Sequence, residues 1–218
     1  LMKAMGIDTV VMIRSGLGRN LAVPSPVLAR HVNAYPVQTD YAGLFLELAE
    51  KYGMKFFFPT YDSFEFWVKG DVQRELDINL EFVDEVWEKY GRHASFAGWY
   101  LTHEFGREYP GVPQAIHRLG THCKELSGGL PTMMSPYMLG PKADPTMQLT
   151  FDEHRAHWES IIGALAGAVD IVAFQDGHVD FHDLHDFIVA NKQIIEDHGM
   201  QCWSNVETFD RDMPFKFP

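Results

Sequence analysis

Six short, nearly continuous apolar runs alternate along the chain with five amphipathic helical patterns, and this alternation restricts the fold more than any other feature. The runs cover residues 9–13, 55–58, 96–101, 131–135, 170–174 and 201–206, each bounded by turn residues. Continuous apolarity, rather than strict alternation, marks strands covered on both faces, as in a parallel sheet flanked by helices. The intervening segments carry helix signals. Tyr41, Leu44, Phe45, Leu48 and Tyr52 recur at helical spacing behind Thr39 and Asp40 and stop at Gly53. Val72, Leu76, Leu80, Val83, Val86, Trp87 and Tyr90 precede Gly91, and Pro113 opens a stripe of Ile116, Leu119, Cys123 and Leu126. Thr150 and Glu153 fit a capping box ahead of Trp158, Ile161, Ile162 and Leu165. A fifth pattern runs from Asp183 through Leu184, Phe187, Ile188, Ile194 and Ile195 to Gly199. Gly6, Gly53 and Gly199 each stand between a helix end and a strand start, an echo of one αβ turn.

Strand, helix and strand in succession imply right-handed parallel crossovers, which build either an open doubly wound sheet or a (β/α)8 TIM barrel. No GxGxxG or GxxxxGK[ST] fingerprint follows the first strand, so the reason to prefer a nucleotide-binding open sheet is missing and the barrel is expected. Such barrels need eight strands and about 250 residues. Six strands and five helices in 218 residues therefore predict a single truncated barrel domain over residues 1–218, with the first and last strands missing and two strand edges exposed. The opening on Leu1 reads as the tail of a helix, so the expectation is a longer protein trimmed at both ends.

A net charge of -12 opposes a nucleic-acid partner, because that affinity comes from Lys and Arg neutralising phosphates. Neutral carbohydrate carries no such penalty, and 16 Phe, 8 Tyr and 5 Trp supply ring faces as well as core. No run reaches the roughly 18 apolar residues of a membrane span, and the first residues lack the apolar segment of a signal peptide. Cys123 and Cys202 fall in different elements and no disulfide is expected, which leaves the redox compartment open. Localisation and oligomeric state are not legible, and a periplasmic or secreted full-length protein stays open.

In parallel barrels the reactive groups come from the carboxyl ends of strands. Here these ends carry Arg14 and Ser15, then Thr60, Tyr61 and Asp62, then His103 and Glu104, then Pro136 and Tyr137, then Gln175, Asp176 and His178, and finally Asn205 and Glu207. Strand parity places Tyr100 and Thr102 on the side of Glu104, and Trp203 and Asn205 on the side of Glu207. Two glutamates facing one cleft are what glycoside hydrolysis requires: one acid protonates the leaving oxygen while the other carboxylate attacks or stabilises the oxocarbenium-like centre.

GWYLTHE (98–104) and CWSNVE (202–207), with VVMIRSG from Val10, FFFPTYDS from Phe56 and VDIVAFQDGHVD from Val169, resemble an uncharacterised bacterial glycosidase-like barrel family similar to clan A glycoside hydrolases. The resemblance runs the whole chain. It implies Glu104 as general acid/base on the fourth barrel strand and Glu207 as nucleophile on the seventh, in a retaining mechanism without cofactor or metal. In the glycosidase reading the strand tops are expected to supply sugar contacts from Arg14, Tyr61, Asp62, His103, Tyr137, Gln175, Asp176, His178, Trp203 and Asn205. His103 stands where clan A usually has the Asn that holds the sugar 2-hydroxyl. Phe64, Phe66 and Trp67 would form a further subsite or a lid.

Two other readings compete. A metal-dependent sugar isomerase or lyase would use His178, Asp180, His182 and His185 with Asp62, His103, Glu104 and Glu207 as ligands. A non-catalytic carbohydrate-binding barrel would keep the cleft without turnover. A serine hydrolase or zinc protease lacks its GxSxG or HExxH motif, and His154 and His157 read as packing or surface residues.

Overall fold

The structure, a computed structural model, describes residues 1–207. Six parallel strands form one sheet, β1 (Thr9–Val11), β4 (Lys55–Pro59), β5 (Phe96–Leu101), β6 (Thr132–Met134), β7 (Ile171–Gln175) and β8 (Gln201–Asn205), with spatial order equal to chain order. Each βα unit therefore adds on the same side of the last. A doubly wound sheet would reverse direction at a switch point, so the order itself selects the barrel, here as a parallel half-barrel. A small antiparallel hairpin, β2 (Gly16–Leu17) with β3 (Asn20–Leu21), follows β1. The helices are α1 (Pro26–Val32), α2 (Tyr41–Lys51), α3 (Val72–Tyr90), α4 (Val112–Leu126), α5 (Phe151–Leu165) and α6 (Phe181–Asp197).

All six expected strands are present, displaced by at most two residues at their ends. Local chemistry accounts for the starts of α2 and α5. Thr150 Oγ1 accepts from Glu153 N at 3.3 Å while Glu153 Oε2 accepts from Thr150 N at 2.8 Å, the reciprocal pair of a capping box. Asp40 caps α2 through Gly43 N at 2.9 Å. Gly6, Gly53 and Gly199 adopt φ of +85°, +61° and +75°, the left-handed turn that a glycine accepts without steric cost.

Two features differ from expectation. The helix α1 adds a sixth to the five expected; Ser25 caps it and Pro26 opens it, a signal present in the sequence but set in a helix of only seven residues. The second concerns α2, whose stripe of Tyr41, Leu44, Phe45, Leu48 and Tyr52 remains 40–54% exposed, while Ala42, Leu46 and Ala49 form the buried face. Small residues let α2 lie close on β4, and amphipathic spacing marks an apolar face without saying what covers it.

The main core lies between sheet and helices, where Phe56, Phe58, Trp99, Leu101, Ile161, Ile162 and Val172 are buried. A smaller inner cluster of Phe57, Tyr100, Met133, Ile171 and Ala173 lines the concave face. Gly98 leaves room there for the Phe57 ring, since a Cβ would stand 2.4 Å from it. Trp158 anchors the outer layer: fully buried, it stacks on Phe105 at 5.8 Å and meets the Phe174 ring edge-on at 4.6 Å. Trp158→Ala is expected to cost about 3–5 kcal/mol of stability in urea unfolding, through lost burial and a cavity that the rigid sheet cannot close.

Candidate active site

Strand parity organises the rim. Along β5 the side chains of Trp99 and Leu101 enter the outer core, and His103 continues that side; Tyr100 lies in the inner cluster, followed by Thr102 and Glu104. Backbone and hydroxyl contacts stitch the strand ends together. Ser15 N donates to Thr60 O at 3.1 Å, Thr102 N donates to Thr60 Oγ1 at 3.0 Å, and Thr102 Oγ1 donates to the Ile13 carbonyl.

Arg14 Nη2 reaches Glu104 Oε2 at 2.6 Å, and Arg14 Nε lies 3.5 Å from Asp62 Oδ2. Asp62 is itself held, accepting from Phe64 N at 2.7 Å and Trp67 Nε1 at 2.8 Å through Oδ1. Burial lifts the Glu104 carboxyl above its ordinary range, and this outweighs the opposing charge and hydrogen bond of Arg14; Asp62 adds to the rise, and the Gln175 amide works against it. A half-buried acid that keeps its proton to higher pH than an exposed one is suited to proton donation. Arg14→Met removes the cation that favours the carboxylate. It is expected to raise the Glu104 titration midpoint further, read by 13C-carboxyl NMR, and an unchanged or lower midpoint would contradict this electrostatic account.

Across the rim, Glu207 N donates to Asp176 Oδ1 at 2.9 Å. Gln175, next to Asp176, donates from Nε2 to Ser135 O at 2.8 Å and acts on Glu104. The Gln175–Asp176 pair thus reaches towards both glutamates. Asn205 Nδ2 donates to Ser135 Oγ at 2.8 Å, and Ser135 Oγ donates to Ala173 O at 2.7 Å. Below them a concave cavity of about 280 Å³ is lined by Ile13, Tyr100, Ser135, Trp203 and Asn205. Trp203 is 39% exposed there and meets Phe57 edge-on at 6.5 Å. Tyr137 pairs in bridge geometry with Gln175, and its ring lies 5.4 Å from that of His178.

Two expected sugar contacts are corrected. His103 does not face the mouth: its side chain is 5% exposed, with Nε2 at 3.0 Å from Glu75 Oε1 and the ring edge-on to Trp67. Burial opposes its protonation, yet the hydrogen bond and charge of Glu75 prevail and hold the imidazole above its ordinary pKa, while Glu75 is held below the usual carboxylate range by the same pair. Tyr61 is fully buried beneath the hairpin, and its hydroxyl donates to Gly18 O at 2.8 Å. Among the aromatic loop residues, Trp67 is buried in structural contacts and Phe64 is 65% exposed.

Ligand-type groups converge twice among the described residues: Asp62, Glu75 and His103 within 4.8 Å of one another, and separately Asp180, His182 and Asp183. The two runs that a metal centre would have to join are not gathered into one set. In the first group Arg14 lies against Asp62 and His103 against Glu75, so the contacts within the protein account for it. In the second, His182 is 78% exposed at the first turn of α6. Ser135 and Glu75 were not anticipated as site residues. Ser135 shares the parity of Met133, and Glu75 interrupts the apolar stripe of α3 next to Leu76, so both had a signal in the sequence.

Six parallel strands in chain order, with helices between them, place the chain in the TIM-barrel fold class as a half-barrel. The chain belongs to the family described as Domain of unknown function (DUF4434), which matches residues 1–218. No curated protein matches it. It is similar to a crystal structure from Bacteroides thetaiotaomicron VPI-5482, provisionally described as an alpha-L-fucosidase, with 43% identity and a TM-score of 0.93 over 99% of this chain and 67% of that one. The intracellular xylanase TsXylA of Thermoanaerobacterium saccharolyticum shares 12% identity at a TM-score of 0.54, covering 89% of this chain and 63% of that one. A glycoside hydrolase family 10 xylanase of Thermobacillus composti shares 12% at 0.50, covering 100% and 75%. The two xylanases show the barrel fold alone. The chain spans about two thirds of the length of the first two of these structures. No helix among the described residues is long and apolar enough to cross a membrane.

Proposed function

We propose that this chain carries the catalytic rim of a retaining glycoside hydrolase, with Glu104 as general acid/base and Glu207 as nucleophile. The observation that carries the reading is the environment of Glu104: a half-buried carboxyl with its pKa raised, held by Arg14, beside the Gln175–Asp176 segment that binds the backbone of Glu207. Different surroundings for two rim carboxyls are what separates a proton donor from a nucleophile. The 43% identity to the Bacteroides protein supports the class and puts α-L-fucosides first among substrates to try. In this reading the sugar sits over the concave cavity, with Asn205, Gln175 and Asp176 reaching its hydroxyls and Trp203 offering a ring face. His178 and Tyr137 would border the same rim.

The test is hydrolysis of a panel of aryl glycosides, α-L-fucoside included, by the full-length protein. Turnover of one sugar above the others is expected. Binding of sugars without release of any aglycone would favour a carbohydrate-binding barrel instead.

A further inference from the structure

Two polar side chains interrupt the buried face of α3, one helical turn apart. Glu75 is 3% exposed and Asn79 is fully buried. Both reach the loop after β4. Asn79 Oδ1 accepts from Tyr61 N at 2.9 Å, and Glu75 Oε1 accepts from Ser63 N at 3.0 Å. The same Glu75 oxygen takes His103 Nε2 at 3.0 Å. One carboxylate thereby holds two segments: the loop that carries Asp62, and the end of β5 that carries Glu104 next to His103. Between the two backbone anchors sits Asp62, whose free oxygen faces Arg14, and Arg14 lies on Glu104. The loop is held tightly enough to keep Phe64 at φ +52°, a conformation a non-glycine residue keeps only when its surroundings fix it.

We propose that Glu75 is a positioning residue for Glu104: through Ser63 and His103 it fixes the Asp62–Arg14 pair against the Glu104 carboxyl. This rests on the reading of Glu104 as the reacting acid. A purely stabilising role is a weak account, because a buried ion pair often does no better than an apolar replacement of the same volume. The groups that face Glu104 are Arg14, Asp62, Gln175 and Tyr100; those that face His103 are Glu75, Asp62 and Arg14. If the clamp loosens, Arg14 loses its fixed place on Glu104, burial acts without its opponent, and the carboxyl holds its proton to higher pH.

Two variants of the full-length protein test this. Glu75→Gln keeps the shape and one neutral acceptor, and Glu75→Leu fills the space with no acceptor. Folding is checked by near-UV circular dichroism, the clamp by hydrogen exchange at the Ser63 amide, and Glu104 by 13C-carboxyl NMR titration assigned with Glu104→Gln. Ser63 is expected to exchange about tenfold faster in Glu75→Gln, a charged acceptor having become a neutral one. The Glu104 midpoint is expected to rise by about one unit in Glu75→Leu, the size of a lost neighbouring charge, and by less in Glu75→Gln. An unchanged midpoint in either folded variant whose Ser63 amide exchanges faster overturns the proposal. If Glu75→Leu does not fold, the isosteric Glu75→Gln decides alone. The titration needs no substrate, so a protein without turnover but with the shifted midpoint would refute the glycosidase reading and leave the clamp standing.

Discussion

Glu207→Gln is expected to abolish turnover of every glycoside that the native protein cleaves, while sugar binding persists. The amide matches the carboxylate in shape but offers no anionic oxygen to form the glycosyl bond, so the first chemical step has no nucleophile. The companion variant Glu207→Gly opens space at the same point. Added azide should then restore part of the turnover of an activated aryl glycoside and yield a glycosyl azide of inverted anomeric configuration, because the small anion attacks once where the enzyme would attack twice. Undiminished activity in Glu207→Gln, measured with native protein excluded by active-site titration, would remove Glu207 from the mechanism. The backbone supports its placement: Asp176 takes the Glu207 N–H at the rim, next to the Gln175 side chain that also acts on Glu104.

Glu104→Gln is expected to separate substrates by leaving group. General acid catalysis contributes about 10²–10⁴-fold, and that contribution is needed when the leaving oxygen is a poor one. Natural sugar linkages and alkyl glycosides should lose about that factor in kcat/KM, whereas a dinitrophenyl glycoside, whose phenolate leaves unaided, should lose little in its glycosylation step. The same variant should lose the basic limb of the pH profile. The sign follows from burial: native Glu104 titrates above an ordinary glutamate, so the active protonated form persists to higher pH than an exposed carboxyl would allow and is lost as pH rises through that raised value. An equal loss for good and poor leaving groups would show that Glu104 holds structure or substrate and moves no proton.

Much of the fold was legible because its signals are local. Apolar runs, capping boxes and glycine stops each act within a few residues, and six of them in alternation leave little choice of architecture. The exposed stripe of α2 shows the limit: periodicity identified Tyr41, Leu44, Phe45, Leu48 and Tyr52 as one face, but the sheet took the Ala42, Leu46 and Ala49 face. Parity carried equal weight at the site. Counting alternate residues from Tyr100 puts Thr102 and Glu104 on the concave side and sends His103 to the helices, where Glu75 meets it. The likeness of His103 to a sugar-binding position pulled the other way, and the geometry followed the parity. Tyr61 could not have been placed by such counting, since its hydroxyl is taken by the hairpin carbonyl of Gly18, 43 residues away in sequence. Ser135 needed the strand end and its parity together, and Glu75 needed attention to a charged residue at a core position of a helix.

In the proposed mechanism Glu207 attacks the sugar while Glu104 serves as acid. Incubating the full-length protein with activated 2-deoxy-2-fluoro glycosides of its preferred sugar, followed by peptide mass mapping, tests it most directly. One glycosyl adduct per chain is expected, on Glu207, formed in the native protein and absent in Glu207→Gln. An adduct on any other residue, or steady hydrolysis of the parent glycoside with no adduct at all, would contradict it.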